Sequence, residues 1–298
     1  ANLCFQKSSG DDDDKVDDSE KEEKDDSGKA GDFMDDLIKR ASSAAKNVDK
    51  VEVGTLVRAS SSKDYPFLLN DQEFHKSIVL VIQDNEMMSV GVILNLPMTS
   101  SGNKIPGKIP CRYGGAYGIK GQVGKPSFWL HLNKSLRDAK IGSPVGDINK
   151  EDGIWSCTSE QVETALRAGI AKPTDFMVVS GFSVWGKVGR GEAGGIRGEI
   201  WDGDFEIVSK DCVRPVWDTL TTQEELTPEN MNKNLDIAET AWMASSSSLE
   251  DDDEEEEEED DKRMVYNSDV SVKSLADDAL KCWVGALLLD NPRLRKST

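Results

Sequence analysis

Long apolar runs are missing from this chain. A helix that crosses a bilayer needs roughly 18–20 consecutive apolar residues, and the best candidate, 282-CWVGALLL-289, is less than half that. No membrane span is expected. Histidine is scarce, with only His75 and His131. A Ser/His/Asp set needs a histidine beside its serine. No G-x-S-x-G elbow is present either, although 180-SGFS-183 approaches one. The five cysteines, Cys4, Cys111, Cys157, Cys212 and Cys282, never come within four residues of one another. That spacing suggests no zinc pair, and the odd count leaves at least one thiol free. A reducing, intracellular compartment is expected, cytoplasmic or plastid. A basic patch is lacking as well. The nearest, 134-KSLRDAK-140, is short and carries an aspartate, so nucleic acid is not an expected partner.

What the chain has in excess is negative charge, and it is unevenly placed. The net charge is −20. Residues 51–220 hold 20 acidic and 19 basic side chains, residues 1–50 hold 15 and 9, and residues 221–298 hold 21 and 8. The middle is therefore near neutral and the flanks carry the charge. Glu250 to Asp261 is an unbroken run of 12 acidic residues. Such flanks suit basic proteins or cations as partners.

Composition and period divide the chain into four spans. Residues 1–31 are charged and poor in apolar groups, and are expected to be disordered. A folded region over 32–220 opens with a helix from Asp32, where Phe33, Leu37, Ala41 and Ala44 recur at helical spacing. Strands are predicted at 53–60, 77–84, 89–96, 127–132, 153–158 and 176–185, the second and third as a hairpin closed by Pro97. Residues 98–110 read as a loop. Ser159 is read as the cap of a helix over 160–169, stopped by Lys172–Pro173, and 196-IRGEIWDGDFEIV-208 as a turn and strand. Residues 221–269 read as a linker with the acidic loop. A last helix over about 270–289 presents Val272, Leu275, Ala276, Ala279, Leu280, Trp283, Ala286 and Leu287 as one apolar stripe, expected to pack on the core. Hairpin strands followed by strands separated by helices predict an α+β fold with a mixed, curved sheet.

Short motifs, most of them glycine-bearing, punctuate the middle: 54-GTLVRAS-60, 74-FHKSIVLVI-82, 91-GVILNLP-97, Gly114–Gly115, Leu130–His131, Gly181-Phe182-x-x-Trp185 and Gly194 to Ile200. In order and spacing this set resembles the AlgH/YqgE family across about 160 residues. Ala116 stands where that family has proline and Gly195 where it has glutamine, and 187-KVGRGEA-193 looks inserted. The resemblance implies a mixed, bifurcated sheet rolled into a pseudo-barrel with flanking helices. It brings a label of transcriptional regulation, and no established catalytic residues.

No catalytic, metal or cofactor set is expected. The window 189-GRGEAG-194 fits G-x-G-x-x-G by letter, but the residues after it read as turn and strand, whereas a dinucleotide site needs a helix there. Asp202, Asp204 and Glu206, with Glu199 nearby, would share a face if they lay on one strand, where a divalent cation is conceivable beside the plainer reading of a solvated face. The strongest candidate groove combines Tyr113, Tyr117, His131, Trp185 and Arg190, since aromatics and arginine dominate protein-binding hot spots. The expected function is non-enzymatic recognition of a protein partner. The alternative is a small-molecule or nucleotide-binding enzyme using the turn at 186–195.

Overall fold

The computed structural model describes residues 51–60, 72–99, 109, 111–118, 127–149, 151–188, 194–246 and 268–289. All belong to the second of two compact units, Ser42–Thr298. The helix expected from Asp32, the N-terminal acidic segment, the acidic run at 250–261 and most of the loop at 98–110 lie outside the described residues.

The hairpin forms as its apolar runs demand. Strands β1 (Leu56–Ala59), β2 (Ile78–Asp84) and β3 (Met88–Ile93) pair antiparallel, and β2 turns into β3 across Asn85–Met87. Pro97 does not end the strand region: Pro97–Met98 is a short strand, β4, in a second sheet. The remaining strands are β5 (Cys111–Tyr113), β6 (Ser127–His131), β7 (Ser143–Pro144), β8 (Trp155–Cys157), β9 (Phe176–Ser180), β10 (Ser183–Gly186) and β11 (Phe205–Ile207). One sheet runs β10-β3-β2-β1-β11 and the other β4-β5-β9-β6-β8-β7. Among the described strands, only β5 and β9 pair in parallel.

Two chain segments cross between the sheets, from β3 to β4 and from β9 to β10, so the sheet is forked. The β9–β10 crossing touches the chain just past β5, where Gly181 meets Gly114. A Cβ on Gly114 would stand 2.3 Å from the Gly181 carbonyl oxygen, and Gly181 itself has φ 82°, a left-handed conformation that favours glycine. The fold is α+β with flanking helices. Among the described residues the forked sheet does not close into a barrel.

Alternation along the strands divides the interior in two. Val79 and Val81 of β2, with Phe176 and Val178 of β9, join one apolar cluster; Ile78 and Leu80, with Met177 and Val179, join the other. Successive side chains point to opposite faces, so these continuous apolar runs mark strands covered on both sides. The helices supply the covers. Helix α1 spans Lys134–Asp138 and α2 spans Ser159–Arg167. Thr158, not Ser159, caps α2, in a reciprocal capping box with Gln161. The helix ends before Lys172–Pro173, because Gly169 (φ 70°) takes the left-handed position just past its end.

Helix α3 (Gly195–Trp201) corrects the expected turn at 196–201. Two glycines lower its intrinsic propensity, but burial of Ile196 and Ile200, four apart on one face, overrides that. Helices α4 (Lys210–Leu220) and α5 (Met231–Ala244) were not legible as helices, and α5 lies inside the expected linker. Helix α6 (Ser268–Trp283) continues into a π-helical turn over Val284–Leu289. Ala276, Leu280, Val284 and Leu288 are buried, whereas Leu275 and Leu287 of the expected stripe face outward.

Candidate functional site

The second apolar cluster is roofed at one side by Val216, Trp217 and Leu220 of α4 and Ala241 of α5. Elsewhere it emerges at the surface. Val53, Ile82, Phe128 and Phe182 pack against it while only partly buried. With Val90, Leu130 and Val145 they line an open groove of about 550 Å³ between the β2–β3 hairpin and the β6–β8–β7 edge. Met88, at the hairpin end, completes it and is 36% exposed; Met87 beside it is 61% exposed. Methionine is unbranched and adapts to irregular partners.

Tyr117 belongs to this neighbourhood. Its ring stacks on Phe182 at 5.9 Å, and the two residues exchange backbone hydrogen bonds of 3.0 and 3.1 Å. Of the expected groove residues it alone is open to solvent among those described, at 55% exposure. Tyr113 is buried edge-on against Trp283, 5.1 Å away. Trp185 is buried between Phe74 and Phe205. Arg190 lies outside the described residues. His131 is wholly buried, its Nε2 donating to the Ile141 carbonyl at 2.8 Å while Nδ1 has no partner among the described residues. Burial lowers its pKa below the ordinary value, against the pull of the Ile141 carbonyl. Tyr113, His131 and Trp185 therefore serve the interior, because each ring faces its own aromatic neighbours rather than a shared opening. Of the groove residues that sequence reasoning missed, Ile82, Val90 and Phe128 look like ordinary strand positions, and their only signal was membership of apolar runs; Val145, just past β7, carried none.

Elements of acid–base chemistry are engaged elsewhere. His75 bonds Asp277 at 2.8 Å and His131 the Ile141 carbonyl, so among the described residues neither histidine serves a serine or cysteine. The described cysteines form no disulfide with one another, and burial pushes the Cys157 thiol up to about 12. Asp202, Asp204 and Glu206 do not share a strand face. Asp202 caps α3, Asp204 precedes β11, and Glu206 pairs with Arg58 at 3.1 Å. A helix does succeed the glycine window at 189–194, contrary to the sequence reading, but α3 has only seven residues. Its start is held by a buried network instead. Asp84 accepts from Ser89 at 2.7 Å and pairs with Lys187 at 2.6 Å, and Ser89 Oγ accepts the Ile196 backbone N–H at 3.1 Å.

A family model described as AlgH-like matches residues 64–204. This region belongs to the AlgH-like family. Among solved structures, a protein of Corynebacterium diphtheriae is similar at 15% identity, covering 53% of this chain and 75% of its own, with a TM-score of 0.37. The AlgH protein of Pseudomonas aeruginosa is similar at 14% identity, covering 54% and 79%, with a TM-score of 0.33. No curated protein matches the chain. The AlgH-like match takes in β2 to β10 and α1 to α3, whereas β11 and α4 to α6 lie beyond it. Among the described residues no helix is long and apolar enough to cross a membrane.

Proposed function

We propose that this AlgH-like protein is a non-enzymatic recognition protein whose groove between the sheets receives an apolar segment of a protein partner. The observation that carries the reading is the second core running out, with no cover among the described residues, to Ile82, Phe128 and Phe182. Apolar surface left open is stabilised when a partner covers it. Unbranched, sulfur-bearing Met87 and Met88 at the hairpin tip suit an adaptable interface. The net charge of −20 disfavours an anionic lipid surface as the occupant. It favours a segment flanked by basic residues, which the acidic terminal regions would steer toward the groove.

The test begins with affinity capture on the full chain and continues with titration of the purified partner. Met88→Asp and Phe182→Asp are each expected to weaken binding at least tenfold, roughly 1.4 kcal/mol. Lys233→Ala, on exposed α5 surface, should leave it unchanged. A partner whose affinity ignores both groove substitutions would remove the groove from consideration.

A further inference from the structure

A separate cleft of about 470 Å³ opens beyond the groove, where β5 and the start of β9 meet the loop between α4 and α5. Its volume lies within the roughly 300–1,000 Å³ of small-molecule sites. Its lining is unlike that of the groove: Arg112, Gln223, Asn230 and four threonines, with Glu224 and Glu225.

Arg112 is 2% exposed. Its Nη2 donates to the Leu220 and Gln223 carbonyls at 3.0 and 3.4 Å, and its Nη1 to the Cys111 carbonyl at 3.3 Å. These contacts complement the C-terminal end of α4, where cations are favoured. They do not complete the residue. Among the described residues, Nε is buried without a partner and no carboxylate pairs with this guanidinium. A buried charge is costly unless paired as well as hydrogen-bonded. Burial lowers its pKa to about 10.

Gln223, also 2% exposed, has the opposite deficit. Its Nε2 donates to the Asn95 and Asn234 carbonyls, each at 3.0 Å. Two carbonyl partners fix the amide orientation, so the atom left over is the acceptor Oε1, which is buried with no partner among the described residues. One cleft is thus lined by two residues that each hold an orphaned polar atom, one a charged donor and one an acceptor. Orphaned buried groups are rare and costly.

We propose that this cleft binds a small carboxylate bearing an adjacent hydroxyl or amino group. The carboxylate accepts from Arg112 Nε, and the hydroxyl or ammonium donates to Gln223 Oε1. Glu224 is already paired with Lys233 at 2.6 Å, so its charge at the mouth is balanced. The threonines offer further hydroxyls. The site joins Arg112, Thr174, Phe176 and Met177, inside the AlgH-like match, to 221–230, beyond it. It is independent of the apolar groove and of the partner proposed there.

The test is calorimetric titration of the full chain with L-lactate, L-alanine and acetate. Lactate or alanine is expected to bind saturably and at least tenfold more tightly than acetate, which lacks the second group. The better of the two identifies the donor as hydroxyl or ammonium. Arg112→Met, which keeps the side-chain volume, should abolish binding. Thr174→Trp, which narrows the exposed mouth without touching Arg112, should weaken it at least tenfold with the unfolding midpoint unchanged. Absence of saturable binding to any probe, equal affinity for acetate, or binding that survives both substitutions would overturn the assignment.

Discussion

Arg58 and Arg112 are almost equally hidden from water, at 4% and 2% exposure, yet they sit in opposite kinds of surroundings. Arg58, on β1, meets the Glu206 carboxylate at 3.1 Å and lies 5.1 Å over the Trp242 ring. The neighbouring seam obeys the same rule. Lys76 pairs with Glu239 and Asp277, each at 2.7 Å, and His75 bonds Asp277 at 2.8 Å. Through these contacts α5 and α6 are tied to β1 and to the turn before β2, and each of the cations Arg58 and Lys76 finds an anion. Among the described residues Arg112 finds carbonyls alone. A buried cation with its own carboxylate is a finished structural device, whereas one held only by dipoles still has capacity for an anion from outside.

The largest expected effect sets Arg112 against its own isostere. Arg112→Ala leaves a cavity and strips donors from the Leu220 and Gln223 carbonyls, a loss of about 3 kcal/mol in urea unfolding. Arg112→Met strips the same donors but fills the space and removes the unpaired charge, and should cost less, about 1–2 kcal/mol. Equal losses in the two variants would break the contrast. Arg58→Met should cost about 1–2 kcal/mol, since the Trp242 contact is lost but Glu206, its side chain 40% exposed, is left hydrated.

Acidification sharpens the comparison further. Burial holds the His75 pKa below its ordinary value despite the Asp277 hydrogen bond, and lowers His131 likewise. A histidine whose folded pKa is depressed contributes stability that is complete above the unfolded value of about 6.5 and declines as pH falls below it. For Asp277, burial acts upward, but hydrogen bonds from Lys76 and His75 win and its pKa is lowered. Its contribution is present above the unfolded carboxylate range and is lost as pH falls through the folded value. The seam should therefore weaken in acid, and His75→Gln should flatten the decline below about pH 6.5. Arg112 itself contributes no slope there, because burial lowers its pKa only to about 10. Stability measured by urea midpoint across this range checks both statements. The smallest effect belongs to Lys233→Ala. Its pair with Glu224 is 61% and 58% exposed, so no measurable shift of the urea midpoint is expected.

Particular residues show why some features were legible. The runs 77–84 and 176–180 are apolar at every step for several residues, and a strand covered on both faces needs that pattern. Gly114 and Gly181 stood out because two backbones touch there. Helices α3 and α4 were hidden because glycine at 195 and 198 and proline at 215 blur the helical period. Of the described residues of the candidate groove, only Tyr117 reached the surface beside the observed one. Burial of an aromatic depends on which neighbours the fold delivers, and Phe74, Trp283 and Phe205 come from distant parts of the chain.

The order of residues was enough to settle the segregation of charge, the α+β class, the β2–β3 hairpin and the AlgH-like relationship. These rest on local composition, period and the order of short motifs, which are properties of neighbouring residues. The folded arrangement was needed to show that the second core opens as a groove, that Arg58 meets Glu206, and that Arg112 and Gln223 share one cleft with an orphaned atom each. Those depend on contacts between residues 100 or more positions apart, such as Arg112 with Leu220 and Gln223. Pairing of buried charges is set by which distant backbones the sheet and helices bring together, and linear spacing carries no trace of it.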